Sequence, residues 1–390
     1  MKNITGLQIK MNREKMGFKQ EYLCKGICAV SYLSKIEKGS IIPSDDIIKM
    51  LFKRLHIEFY QDEVFIKEGK EEFEKLYQSQ YTGLPVDYKK IIEIKSEKEK
   101  YLNSPLYIDY QLFELSEKPK DSTQILNLKE YMDTEQLYKA YYFAGLVYGD
   151  MNLLFEAKKL KYAPEVLYGM GYVKWQEGKY YEAIELLLES LNLAYSKGYI
   201  KLQMIICLIL GHIYMDFHLP TMEKYYEKVL LLSKLVKDDS MDYLLHYHIG
   251  IAYTAKNFTK AEDNLQKAIE TCPADEKDGL EKIYQKLCFL YVRYNQMEKA
   301  KDYYKKAIDI NHFESVNELI KIMVEEEDYI HQKSYINQLS AIYKQSKKHN
   351  IFSNTKYYGD FLIETYKANR RYKEALEVTE YLYAFLTQDN

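Results

Sequence analysis

Residues able to do chemistry are spread along this chain without the spacings that a reaction needs. His246 and His248 stand two apart, which on a helix turns them to different faces, so they form no two-ligand metal clasp. The acidic run from Glu325 to Asp328 has no matching basic or polar cluster nearby in sequence and reads as a charged helix surface. The five cysteines (Cys24, Cys28, Cys207, Cys272, Cys288) are odd in number and lack paired spacing, so neither a disulfide framework nor a zinc site is expected. Cys24 and Cys28, without a histidine neighbour, read as small buried hydrophobes. No glycine-rich phosphate loop, G-x-S-x-G elbow or H-E-x-x-H helix occurs. The expected chemistry is recognition, with no cofactor, no metal and no enzyme activity.

Charge points to one recognised class. Residues 1–60 hold eleven Lys and Arg against six Asp and Glu, a net +5, and the total of −3 leaves −8 for residues 61–390. A basic head on an acidic body suits a protein whose head alone approaches nucleic acid. The chain has 390 residues and is 47% hydrophobic and 29% charged, enough for a large core and too apolar for extended disorder. Only 7 Pro and 16 Gly favour helices over a turn-rich β fold. The N-terminus MKNITGLQIKMNREK lacks a signal-peptide core, and no run of apolar residues reaches membrane-spanning length, so a cytoplasmic protein without a membrane segment is expected.

The elements that would position a recognition surface begin at once. Ile4, Leu7, Ile9 and Met16 recur at helical spacing and predict a first helix ending near Gly17. Lys19 to Lys25 reads as a short second helix, Gly26-Ile27 as a tight turn, and Ala29 to Lys38 as a third helix closed by Gly39. A fourth starts at Pro43-Ser44, with Ser44 as N-cap and Asp45 and Asp46 in the first turn. The order Gln20, Leu23, SYLSKIEKG (with Ser34, Ile36, Glu37, Gly39) and Pro43-Ser44 resembles the XRE helix-turn-helix family, and ICAVSYLSKIEKG resembles the same stretch of PlcR- and NprR-like regulators. That resemblance implies a third helix in the DNA major groove, with Val30, Ser31, Tyr32, Ser34 and Lys35 toward base edges. Lys19, Gln20 and Lys38, with Arg13, would grip phosphates. The helix has no Arg, so readout would lean on the Val30 methyls, the Ser31 and Tyr32 hydroxyls, Lys35 and DNA shape. Tyr32 reads equally well as packing, and Glu37 as a partner in an internal ion pair.

Residues 61–130 carry helical patches broken by Gly83, Pro85, Pro105 and Pro119, read as a linking helix and irregular first repeats. Beyond them the sequence repeats itself. LILGHIY, YHIGIAY, KLCFLYV and DFLIETY align on Tyr214, Tyr253, Tyr291 and Tyr366, and a second mark aligns Ala183, Ala261, Ala300 and Ala375. Small residues at fixed places in successive amphipathic helices resemble tetratricopeptide repeats lengthened to about 38–40 residues. The register puts Tyr168, Tyr172, Trp175, His212, Tyr247, Gln285, Phe289 and Arg293 on the first helices, lining a groove suited to a peptide. Arg293 could clamp a peptide carboxylate or form an ion pair within the chain.

Together these resemble the RRNPP regulators, which respond to short signalling peptides. The fold class expected is all-α: a lambda-repressor-like helix-turn-helix domain (1–60), a linker helix (61–82), and a right-handed superhelix of tetratricopeptide-like helix pairs (83–390) for peptide sensing and dimerisation. The resemblance implies a transcription regulator, a homodimer on a double-stranded DNA operator, switched by a signalling peptide in quorum-sensing fashion. A repeat module that sequesters a partner such as a response regulator is the alternative.

Overall fold

The computed structural model describes residues 2–117, 123–238, 241–348 and 352–386, and within them every regular element is helical. Pro119 lies outside the described residues. The chain divides into two compact units, one of Met1–Val173 with Leu186–Leu202 and one of Lys174–Glu185 with Gln203–Asn390.

The first unit opens with α1 (Ile4–Lys15), α2 (Gln20–Cys24), α3 (Val30–Glu37) and α4 (Asp45–Arg54). Asn3 starts α1 by accepting the Thr5 backbone N–H, and Gly17, at φ +68°, lets the chain leave it. Ser44 does hold the N-cap position of α4, but its side chain makes no capping bond, which leaves Asp45 and Asp46 to complement the helix dipole. Apolar residues from all four helices (Ile9, Leu23, Leu33, Ile36, Leu51, Phe52) close one small core. Gly6 makes it possible, for a Cβ there would collide with the Ile36 carbonyl of α3. The head is fastened to the end of a later helix: the buried Gln8 amide donates to the Leu102 and Ser104 carbonyls at 2.7 and 2.9 Å.

After the head come α5 (Glu63–Ser79), capped by Asp62, and the shorter α6 (Tyr88–Ser96), α7 (Lys98–Leu102), α8 (Tyr107–Glu117) and α9 (Thr123–Leu126). Phe73, Leu76, Ile94, Tyr101, Leu106 and Phe113 join α5, α6, α7 and α8 in a second core.

Helix pairs occupy the rest: α10 (Thr134–Tyr148) with α11 (Met151–Leu160), α12 (Pro164–Gln176) with α13 (Tyr180–Lys197), and α14 (Ile200–Phe217) with α15 (Leu219–Val236). They continue through α16 (Asp242–Tyr253) with α17 (Phe258–Thr271), α18 (Lys277–Arg293) with α19 (Met297–Ile310), α20 (Glu314–Glu325) with α21 (Lys333–Lys348), and α22 (Phe352–Ala368) with α23 (Tyr372–Leu386). The aligned tyrosines fall near the ends of first helices, and Ala183, Ala261, Ala300 and Ala375 are buried near the starts of second helices. The small residues matter for approach. A Cβ on Gly250 would stand 2.6 Å from Leu265 Cγ of the paired helix, and one on Gly211 would enter the Tyr226 ring.

Candidate nucleic-acid interface and inner-face site

The third helix of the head owes its orientation to one buried carboxylate. Glu37, at the end of α3 and 4% exposed, accepts from Arg13 Nε at 2.6 Å, Arg13 Nη2 at 2.9 Å and Gln20 Nε2 at 2.7 Å. It thereby ties α1, α2 and α3 together, and its hydrogen bond holds the Arg13 guanidinium even above its usual range. This confirms an internal pair for Glu37. It also turns Arg13 inward and commits the Gln20 amide, so what these two offer a phosphate is reduced.

The outward side of α2 and α3 is open. Lys19, Val30, Ser31, Lys35 and Lys38 are exposed, while Tyr32 and Ser34 are half-buried, Tyr32 packing against the head core. Two exposed neighbours, Tyr22 and Lys25, escaped the sequence reading; Tyr22 leans on Phe18 with ring centroids 4.6 Å apart. Tyr22 could be noticed only by seeing that a five-residue helix has room for Leu23 and Cys24 inward and little else. Lys19, Lys25, Lys35 and Lys38 make no ion pair among the described residues, which leaves a positive, partly apolar face.

In the second unit, first helices contribute two clusters of rings. Trp175 stacks on His212 (6.0 Å between centroids), His212 meets His248 edge-on (4.4 Å), and His248 touches Tyr247 (5.3 Å). Burial lowers His212 to about 4, and burial with His212 alongside lowers His248. Further along, Phe289 of α18 meets Tyr357, Tyr358 and Phe361 of α22. Arg293 forms a two-pronged ion pair with Glu364 (2.6 and 3.0 Å), its guanidinium over Phe361. A cavity of about 100 Å³ lies beside them, lined by Thr254, Arg293, Tyr357, Phe361 and Glu364.

Of the expected groove residues, the second unit gathers Trp175, His212, Tyr247, Phe289 and Arg293. Phe289 is fully buried, and Gln285 sits in a buried knot where its amide donates to Glu281 and Asn317. Tyr168 and Tyr172 form their own pair in the first unit, 6.0 Å apart. His248, Lys286, Tyr357 and Glu364 were missed. Those on α22 lie some 70 residues beyond α18, past the intervening pair α20 and α21, where register could not be carried.

Residues 9–60 match the helix-turn-helix family. They form an XRE-type helix-turn-helix domain. α2 and α3, which carry the open face described above, lie within it. Over 73% of its length the chain shares the fold of a Rap protein solved in complex with Competence and Sporulation Factor, with 13% identity, 85% of that chain covered and a TM-score of 0.54. Bacillus thuringiensis PlcR, solved with the peptide PapR7 and DNA, is also similar, at 19% identity over 62% of this chain and 98% of that one, with a TM-score of 0.35. No curated protein matches. Among the described residues no group of three His, Cys, Asp or Glu could hold a metal ion, and no helix is long and apolar enough to cross a membrane.

Proposed function

We propose that this protein is a DNA-binding transcription regulator whose helix pairs take a short signalling peptide that switches DNA binding. The observation that carries the reading is the helix-turn-helix domain at residues 9–60 with an open, unpaired basic face on α2 and α3. Lys35 and the Val30 methyls would meet bases, and Lys19, Lys25 and Lys38 phosphates. In this reading residues 1–60 bind the operator, 61–82 link, and 83–390 sense the peptide and dimerise in the cytoplasm, with no enzymatic step. Two heads on one duplex would require a homodimer and half-sites about one helical turn apart.

The peptide part is supported by the ring-lined inner face of the second unit and by a fold shared with a Rap protein that carries a bound factor. A peptide can switch the head only by favouring one arrangement of the chain over another. The test is fluorescence anisotropy on DNA from the gene's own upstream region, for the wild type and for Lys35→Ala. Specific binding that survives competitor DNA and falls in the variant supports the reading. Binding that is weak, equal for any duplex and unchanged by Lys35→Ala overturns it, and favours a repeat module that sequesters a protein partner.

A further inference from the structure

We infer that Lys286 is the counter-charge for an acidic ligand on the inner face of the second unit, so that the peptide taken there carries a carboxylate. This rests on the peptide-binding reading above. Lys286 lies on α18 and is 3% exposed, yet no carboxylate pairs with it among the described residues. Its Nζ lies 3.6 Å from the Tyr357 ring centroid, 4.5 Å from that of Tyr358 and 5.6 Å from that of Phe289, and donates to the Tyr358 hydroxyl at 3.3 Å. Aromatic faces attract an ammonium, but they return less than the loss of water costs it. Burial, with Lys282 one turn away, accordingly lowers the amine to about 7, where charged and neutral forms coexist at physiological pH. A carboxylate brought alongside would hold it charged.

Two further features distinguish a ligand site from packing. Tyr357 Oη, beside Lys286, is buried without a hydrogen-bond partner among the described residues. Proteins satisfy nearly all such groups, so an orphaned hydroxyl against a buried cation points to an occupant that supplies the partner. Tyr357 also joins the cage to open space, because it covers Lys286 and lines the cavity that Arg293 and Glu364 share. Arg293 already has its carboxylate in Glu364, whereas Lys286, behind Tyr357, is a buried cation without one among the described residues. Turning Tyr357 aside would open the cage from the cavity.

Lys286→Met separates a ligand role from a structural one, because replacing a buried unpaired cation by an apolar chain of similar length leaves a fold as stable or more so. Full-length protein is dialysed against two synthetic hexapeptide pools, one containing Asp and Glu with free C-termini, the other with Asn and Gln in their place and amidated C-termini. Retention is read by mass spectrometry. The wild type is expected to retain the acidic pool at least tenfold over the amide pool, and Lys286→Met to abolish that preference with an unchanged or raised melting temperature. Glutarate, dialysed alone, distinguishes a small acid from a peptide as the source of the carboxylate. Lysine-dependent retention of glutarate without either pool supports the carboxylate site and removes the peptide. Equal retention of both pools by the wild type overturns the inference and leaves peptide binding standing. Retention of neither pool nor glutarate overturns both, and a lower melting temperature in Lys286→Met makes the lysine structural and overturns the inference.

Discussion

Glu37→Ala should loosen the head by releasing three helices from one another. The carboxylate accepts three N–H bonds from two other helices, and its loss strands the Arg13 guanidinium, whose side chain is only 11% exposed. Removing one partner of a buried ion pair costs ~3–5 kcal/mol. Arg13 keeps its bond to the Phe18 carbonyl at 2.9 Å and has Glu14 at 3.4 Å, which places the cost at the low end, about 3 kcal/mol. At ~1.4 kcal/mol per factor of ten, backbone amides of α1 and α3 should exchange with deuterium roughly a hundredfold faster. Hydrogen-exchange mass spectrometry on the full chain is the assay, since the single tryptophan, Trp175, lies in the other unit and is blind to the head. Arg13→Met combined with Glu37→Leu, which removes both charges, should recover most of the protection. If Glu37→Ala leaves exchange in α1 and α3 within about threefold of the wild type, the triad does not hold the head and the reasoning fails.

Gly6→Ala should also destabilise the head, because its Cβ meets the Ile36 carbonyl, and the same exchange measurement should show α1 and α3 losing protection together. Glu281 is fully buried and accepts from the His312 and Phe313 backbones, Asn317 and Gln285; Glu281→Ala should cost ~2–4 kcal/mol and release the start of α20, read as local exchange there. His212 and His248 have depressed pKa values in the folded state, so the unfolded chain binds more protons and stability falls as pH drops from about 6.5 towards 4. Melting followed by Trp175 fluorescence should therefore drop by several degrees between pH 7 and pH 5, and His212→Phe should flatten the slope; an unchanged slope rejects the assignment. Lys38→Ala should weaken DNA binding about equally on all sequences and lower the salt slope by roughly one ion, whereas a change confined to one operator position would place Lys38 on a base instead.

The head was legible because its signals are local. Each turn carries its own glycine, and the inward residues Leu23, Leu33 and Ile36 sit at helical spacing within a few residues of one another. The helix pairs were legible through their period, since close packing demands small residues such as Gly250 and Ala261 wherever two helices meet. Local pattern gave the positions on first helices but not their partners. Arg293 could be recognised as a charge in search of a carboxylate, but Glu364, 71 residues away, is brought to it only by the stacking of pairs. Lys286 reads in sequence as one more lysine on a polar helix turn. Its burial comes from Tyr357 and Tyr358, which no spacing rule links to it. His248 was likewise set aside because residues two apart on a helix turn to different faces; in the structure His246 meets Asn264, while the ring partner of His248, His212, comes from the preceding pair.

The central claim is that ligand on the helix pairs changes what the head does on DNA. The most direct test is anisotropy of a labelled upstream duplex with full-length protein, with and without the short peptides encoded beside the gene, at two salt concentrations. The account expects one peptide to change the affinity, or the stoichiometry on DNA, at least fivefold at both salts, with the effect lost in Lys286→Met while peptide-free DNA binding persists. Specific DNA binding that no peptide alters would contradict it.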